Sequence, residues 1–185
     1  MLGKLATQVA IERPDLLGAP VLTALHEWPP DAPFGADAVL VAPIDPELAD
    51  TAAFCAAYDV ALDVSANCVV ITGKRDGQPR YGVCLVLATT RADVNGLARR
   101  HLDVRKASFA PMAEAVELTG MAYGGITALG LPASWPILVD AAVAATDAVV
   151  IGSGVRHSKI VLPGPSVAHL PGALVVEGLG RRQDC

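Results

Sequence analysis

The stretch Thr119-Gly-Met-Ala-Tyr-Gly-Gly-Ile-Thr-Ala-Leu-Gly-Leu-Pro132 constrains this chain more than any other. Four glycines in fourteen residues exclude a continuous helix or a packed strand there. Glycine reaches φ > 0 without strain and lets backbone amides meet a ligand with no Cβ in the way. The adjacent Gly124 and Gly125, set between small polar and apolar residues, therefore point to a loop that binds through its backbone. No Gly-Lys-Ser/Thr follows, which excludes a P-loop, and the G-x-G-x-x-G spacing of dinucleotide sites is missing.

The rest of the chain must supply a scaffold for that loop. Its 185 residues suit one domain with a sizeable core. A hydrophobic share of 52% and a mean hydropathy of +0.44 exclude a disordered chain. Aromatics make up only 4%, so the core must be built from Ala, Val and Leu. The most apolar runs, Val83–Ala88 and Ala148–Ile151, are strand-length and far short of the ~20 residues of a membrane span. The first eight residues contain no long apolar stretch of the secretory kind. A cytoplasmic protein with no membrane partner is expected.

Cys55, Cys68, Cys84 and Cys185 form no C-x-x-C pair, and His26, His101, His157 and His169 are scattered. That spacing argues against zinc and predicts no metal site. The first three cysteines read as buried thiols of a reducing compartment, and Cys185 as an exposed terminal residue.

The net charge of −5 is unevenly spread: residues 1–66 carry −8 and residues 67–185 carry +3. The tightest basic cluster is Arg91, Arg99, Arg100, Arg105 and Lys106. An acidic chain with one basic patch fits a module that touches one end of an RNA better than a general nucleic-acid binder, and DNA is not an expected partner. A solvated helix face explains the cluster equally well.

Periodicity and punctuation predict a helix in two pieces over Asp15–Trp28, with Pro20 near a start. They predict a strand over Ala38–Ile44 and a helix over Thr51–Tyr58 capped by Asp50. Cys68–Ile71 and Tyr81–Ala88 form a hairpin whose polar tip spans Gly73–Pro79. A helix runs from Asp93 or Asn95 to Leu102, and another from Pro111 to Thr119 with Gly120 after its end. Short strands follow at Ile137–Asp140, Val149–Ile151, Lys159–Leu162 and Leu174–Val176, with a short helix over Pro165–Leu170. The hairpin breaks a βαβ rhythm, so the fold class is α+β: a single domain with a mixed, curved sheet and packed helices.

Three motifs in order carry a family resemblance. Thr119-Gly120-Met121 leads into Gly124-Gly125-Ile126-Thr127 and Leu129-Gly130-Leu131-Pro132. Ile137-Leu-Val-Asp140 follows, and then Ile151-Gly-Ser-Gly-Val-Arg156. This series resembles the YbaK/ProX family of aminoacyl-tRNA editing domains, found free-standing or inserted in prolyl-tRNA synthetases. The resemblance implies a partly barrel-like sheet, an editing-like domain over residues 46–185, and residues 1–45 as an extension packed on it. It implies hydrolysis of the ester between a small amino acid (Ala, Cys or Ser) and the acceptor end of tRNA, with no cofactor. No G-x-S-x-G elbow or paired carboxylates offer a nucleophile; in such a family water, the ribose hydroxyl or the substrate's own thiol attacks.

On that resemblance Gly124 and Gly125 carry the catalytic amides. Asn67, Thr127, Asp140, Gly152, Ser153, Gly154 and Arg156 bind substrate, and Arg99, Arg100, Arg105 and Lys106 contact tRNA. Two positions depart from the family pattern. Asn67 stands where the family usually has Lys, with Lys74, Arg75 or Lys159 as candidates to replace the charge. Ala128 stands where it usually has Pro. These departures keep a second reading open, a binding module without hydrolysis, and a third, a small-molecule hydrolase unrelated to tRNA. Oligomeric state is not legible.

Overall fold

The computed structural model describes residues 2–182, so the expectation for Cys185 lies outside the described residues. The chain begins with a two-residue strand β1 (Gln8–Val9), two 3-10 turns and helix α1 (Ala19–His26), with Pro20 in its first turn. Strand β2 (Leu40–Pro43) precedes helix α2 (Thr51–Tyr58). Asp50 caps α2 as predicted, its carboxylate accepting from the Ala52 N–H at 3.0 Å.

Strands β3 (Ala66–Arg75) and β4 (Gln78–Leu87) form the hairpin, which is longer than the polar tip suggests. Pairing continues through Lys74–Pro79 and Arg75–Gln78, leaving Asp76 and Gly77 as the whole turn. Both residues have positive φ, 52° and 79°. Such a two-residue Asp-Gly turn matches strand twist, so polar residues are carried inside the strands.

Beyond the hairpin come β5 (Thr90–Ala92), a wide π-type turn over Val94–Ala98 capped by Asp93, and helix α3 (Arg99–His101). Then follow β6 (Ala107–Phe109) and helix α4 (Met112–Thr119), closed by Gly120 at φ +66°. The last third holds β7 (Ile137–Asp140), α5 (Ala141–Ala144), β8 (Val149–Gly152), β9 (Ser158–Leu162), α6 (Gly164–Val167), β10 (Ala173–Val176) and β11 (Gly180–Arg182).

The strands form three sheets in the order β10-β7-β4-β3-β6, β1-β2-β9-β8 and β11-β5. The α+β class holds. The first sheet is mixed: β7 runs parallel to β4 and β10, and the remaining pairs are antiparallel. No barrel closes. The two large sheets meet at one parallel bridge, Ser65 with Val150, and the pairing goes no further. Every residue of β8 and β9 is buried, which sets that corner at the centre of the core. With few aromatics available, the core is built mainly from Val, Leu and Ala, as expected, with Ile beside them, and Phe54 is the largest fully buried side chain among the described residues.

Residues ahead of β2 hold the loop between β8 and β9 from behind. Gly18 N–H donates to Ser153 O at 2.9 Å, and Ser158 Oγ donates to Leu16 O at 2.5 Å. Ser153 Oγ and Ser158 Oγ lie 2.7 Å apart and share a hydrogen. Replacing Ser158 with Ala would orphan a buried carbonyl and is expected to cost about 1–3 kcal/mol. Thermal denaturation of Ser158→Ala should show a Tm lower by about 2–4 °C per kcal/mol lost. An unchanged Tm would mean this joint contributes no stability.

Candidate functional site

A pocket of about 610 Å³ opens beside the bridge between the two large sheets. That volume lies within the ~300–1,000 Å³ of small-ligand sites. Its walls come from Asp50 and Thr51 at the start of α2, Ala66–Val70 of β3, Phe109, Ala110 and Met112, the loop after α4, Gly152 of β8, and Arg156 and Lys159.

Two glycine loops shape it, lying backbone against backbone. Gly154 N–H donates to Gly125 O at 2.7 Å. A Cβ on Gly125 would sit 2.4 Å from Val155 O, and one on Gly152 would sit 2.5 Å from Gly125 O. No side chain fits at either position without moving backbone. Gly124 is exposed at the pocket, with φ +80°, and its N–H makes no hydrogen bond within the described residues.

The expected site residues divide accordingly. Gly124, Asn67, Gly152 and Arg156 come together in the pocket wall. Gly125 does not face it: its N–H is spent on Ala122 O at 2.9 Å and the residue is buried in the loop joint. Ser153 Oγ is also committed inside, to Val155 O, Ser158 O and Ser158 Oγ. Gly154 packs behind it, where a Cβ would come 2.9 Å from Gly18 Cα. Thr127 is fully buried outside the lining, its hydroxyl without a partner among the described residues. Ala128 is a core residue, so its lack of a proline ring affects packing rather than the pocket surface. Asp140 ends β7 away from the pocket. Its Oδ1 accepts from Ala142 N–H at 3.0 Å and its Oδ2 from Gly180 N–H at 2.6 Å. Both carboxylate oxygens accept from backbone N–H groups, which gives Asp140 a strand-end capping role.

Arg156 is held by its own scaffold. Its guanidinium donates to Tyr123 O at 3.1 Å and Pro46 O at 3.0 Å. Asn67 Oδ1 accepts from Thr51 Oγ1 at 2.6 Å. Of the three candidate replacements for the missing lysine, only Lys159 lines the pocket. Lys74 and Arg75 stand at the hairpin tip, where Arg75 pairs with Asp76 and Asp103. Lys159 Nζ donates to Ala49 O at 3.0 Å and lies 5.3 Å from the centre of the Phe54 ring. Burial lowers its pKa from the ordinary lysine range; Cys55 and Asp50 push the other way and Arg156 adds to the depression. Burial also drives the Cys68 thiol far above its usual range, and Cys84 adds to that, so Cys68 stays protonated.

The basic cluster lies off the pocket: none of Arg99, Arg100, Arg105 and Lys106 lines it. Arg99 turns inward to Asn95 O and Arg105 O, whereas Arg100, Arg105 and Lys106 are exposed. Lys106 leads directly into β6, whose other end, Phe109, stands at the pocket rim. That rim has further residues unread in the sequence: Phe109, Met112 and Tyr123 are exposed by 65%, 56% and 59%. They come from a strand end, a helix start and a loop, so no periodicity joins them. Lys159 had a readable signal: it is the one charge in the strand Ser158-Lys-Ile-Val-Leu162, and an otherwise buried strand rarely carries a charge without a role.

Among the described residues no group of His, Cys, Asp and Glu gathers as metal ligands, and no helix is long and apolar enough to cross a membrane.

The chain belongs to the aminoacyl-tRNA editing domain family, whose model matches residues 45–169. No curated protein matches it significantly. Among solved structures it resembles a candidate trans-editing enzyme for prolyl tRNA synthetase, with a TM-score of 0.70 and 20% identity over 86% of this chain and 94% of that one. A scaffold used for epitope backbone grafting superposes with a TM-score of 0.70 and 19% identity, covering 86% of this chain and 95% of that one. The hypothetical protein APE2540 gives a TM-score of 0.66 and 18% identity over 76% and 90% of the two chains. At these identities the structures share the fold.

The placement of Asp140 generates a prediction. Asp140→Ala removes two backbone partners and should cost about 1–3 kcal/mol of stability. Below its lowered Tm, however, ligand affinity at the pocket should match that of the unaltered protein. A folded Asp140→Ala variant with weakened binding would return this carboxylate to the site.

Proposed function

We propose that this protein is an aminoacyl-tRNA deacylase acting in trans in the cytoplasm, hydrolysing the ester of a mischarged tRNA that carries a small amino acid such as Ala, Cys or Ser. The observation that carries this reading is the pocket itself. Gly124, whose N–H has no partner among the described residues, and two cations line an opening with small apolar groups, in a chain of the editing family. Cys68, Val70, Ala110, Ala115 and Ile126 supply apolar lining suited to a short side chain.

The chemistry follows from which groups are free. Cys68 is held as a thiol and Ser153 is locked in a buried network, so neither is poised to attack. The Thr51 hydroxyl donates its hydrogen to Asn67 Oδ1. The nucleophile is therefore water, the ribose hydroxyl next to the ester or, on a cysteinyl substrate, the substrate's own thiol. The protein's part is to orient the ester and place an amide donor where charge develops on the carbonyl oxygen. Arg156, pinned by two carbonyls, holds its charge at the pocket wall at little further entropic cost.

The acceptor stem would run along β6, over Arg105 and Lys106. If these side chains neutralise phosphates, Arg105→Ala/Lys106→Ala should weaken tRNA binding and flatten its dependence on log[salt] by about 0.7–0.9 per lost contact. An unaltered slope would make the cluster a solvated face.

The direct test is a panel of aminoacyl-tRNAs, with release of the amino acid measured. Turnover of one small-amino-acid species, lost in Gly124→Val, is the expected result. Asn67, in place of the family's usual Lys, favours a second reading in which the pocket binds an aminoacyl end without hydrolysis. Binding with no turnover of any species would decide for that reading.

A further inference from the structure

The pocket carries an imbalance of charge that its own residues leave unresolved. Lys159 is 8% exposed, and no described carboxylate forms an ion pair with it. Its only hydrogen bond among the described residues goes to Ala49 O, although an ammonium carries three donors. Burying a charge without a partner is costly, and such groups are retained where something else supplies the partner. The other cation in the lining, Arg156, is bound to two neutral carbonyls. Asp50, the only acid among the described residues of the lining, is exposed and accepts from the start of its own helix. The pocket thus presents two positive charges against one solvated negative charge.

The sheets bring Lys159 to Asn67. Two residues on from the Ser65–Val150 bridge stand Asn67 and Gly152, both in the pocket wall, and Gly152 pairs with Lys159 across β8 and β9. Gly152 adds no side chain between them. The neutral residue on β3 and the charged residue on β9 therefore share one cavity.

We infer that Lys159 is the pocket's phosphate-binding residue, supplying from β9 the positive charge that Asn67 does not provide from β3, and that it takes the phosphate of a terminal nucleotide. Phosphate is the anion that fits the proposed substrate, because the carboxylate of an esterified amino acid carries no charge. The inference rests on the reading of the pocket as a tRNA-end site, but its test requires no hydrolysis.

The test measures binding of adenosine 5′-phosphate, adenosine and inorganic phosphate by calorimetry. The protein should prefer the nucleotide over the nucleoside by about 10- to 100-fold, the worth of one charge-assisted hydrogen bond. Lys159→Met should abolish the preference and Lys159→Arg should keep most of it. Because Lys159→Met could fold poorly, Asn67→Asp gives an independent measure. It retains the acceptor for Thr51 and sets a carboxylate in the same cavity, so the preference should again be lost. The exchange Asn67→Lys/Lys159→Met should restore it.

No preference in the unaltered protein, or one that survives in both Lys159→Met and Asn67→Asp, overturns the inference. Inorganic phosphate binding as tightly as the nucleotide would also overturn it, by making the site a simple anion site. A preference that obeys these substitutions in a protein that turns over no aminoacyl-tRNA would retire the hydrolytic reading and leave Lys159 in its role. Turnover with no Lys159-dependent preference would do the reverse.

Discussion

The structure depends on a contact that contains no side chain. Gly125 lies against the backbone of Val155, and Gly152 lies under the carbonyls of Gly125 and Ile126. Two hydrogen bonds, from Gly154 N–H to Gly125 O at 2.7 Å and from Ala122 N–H to Gly154 O at 2.9 Å, fix the spacing. Because the two loops touch through backbone, their relative position has no rotamer freedom and Gly124 is presented at a defined place. The buried Ser153–Ser158 pair and the Leu16 and Gly18 backbone hold the second loop from the other side. Preorganisation of this kind is what an amide donor must have to act on a transient charge.

Around that rigid joint the cavity is asymmetric. Its lining combines small apolar groups with Lys159 and Arg156, and three of its large apolar residues, Phe109, Met112 and Tyr123, are exposed. An open, partly apolar site with positive charge suits a ligand that is itself divided, with an uncharged acyl part and an anionic tail. The segregation of charge along the sequence has the same sense. Both pocket cations come from the basic part of the chain, residues 67–185, and the acidic residue of the lining, Asp50, from residues 1–66.

Much of the scaffold was legible because local rules and tertiary packing agree. Asp50 and Thr51–Tyr58 form a capped helix with the expected ends, and Gly120 closes α4 in the left-handed conformation that suits glycine. The failures have local causes. β5 and β11 are three-residue strands bearing Thr and Arg, too short and too polar for a periodic signal. The hairpin tip hid two strand ends because Lys74 and Arg75 remain paired though exposed. In the site, motif order found the two loops but not which atoms face outward. Gly124 and Gly125 are neighbours with opposite fates, decided by which N–H the Ala122 carbonyl takes. Asp140 sits in a matched motif, yet its two oxygens are consumed by Ala142 and Gly180. That second partner lies forty residues away, in a strand the sequence did not announce.

The placement of β2 bears on how this domain can be handled as a module. The family match starts at residue 45, but β2, at Leu40–Pro43, is an interior strand lying between β1 and β9. A fragment cut to the matched region would strip β9 of one of its two neighbours and uncover a row of unpaired amides and carbonyls along Ser158-Lys-Ile-Val161. Bare apolar edges of that kind recruit other chains. In transplantation or fusion, the unit to move is therefore set by sheet order: it must carry the strand that precedes the family boundary.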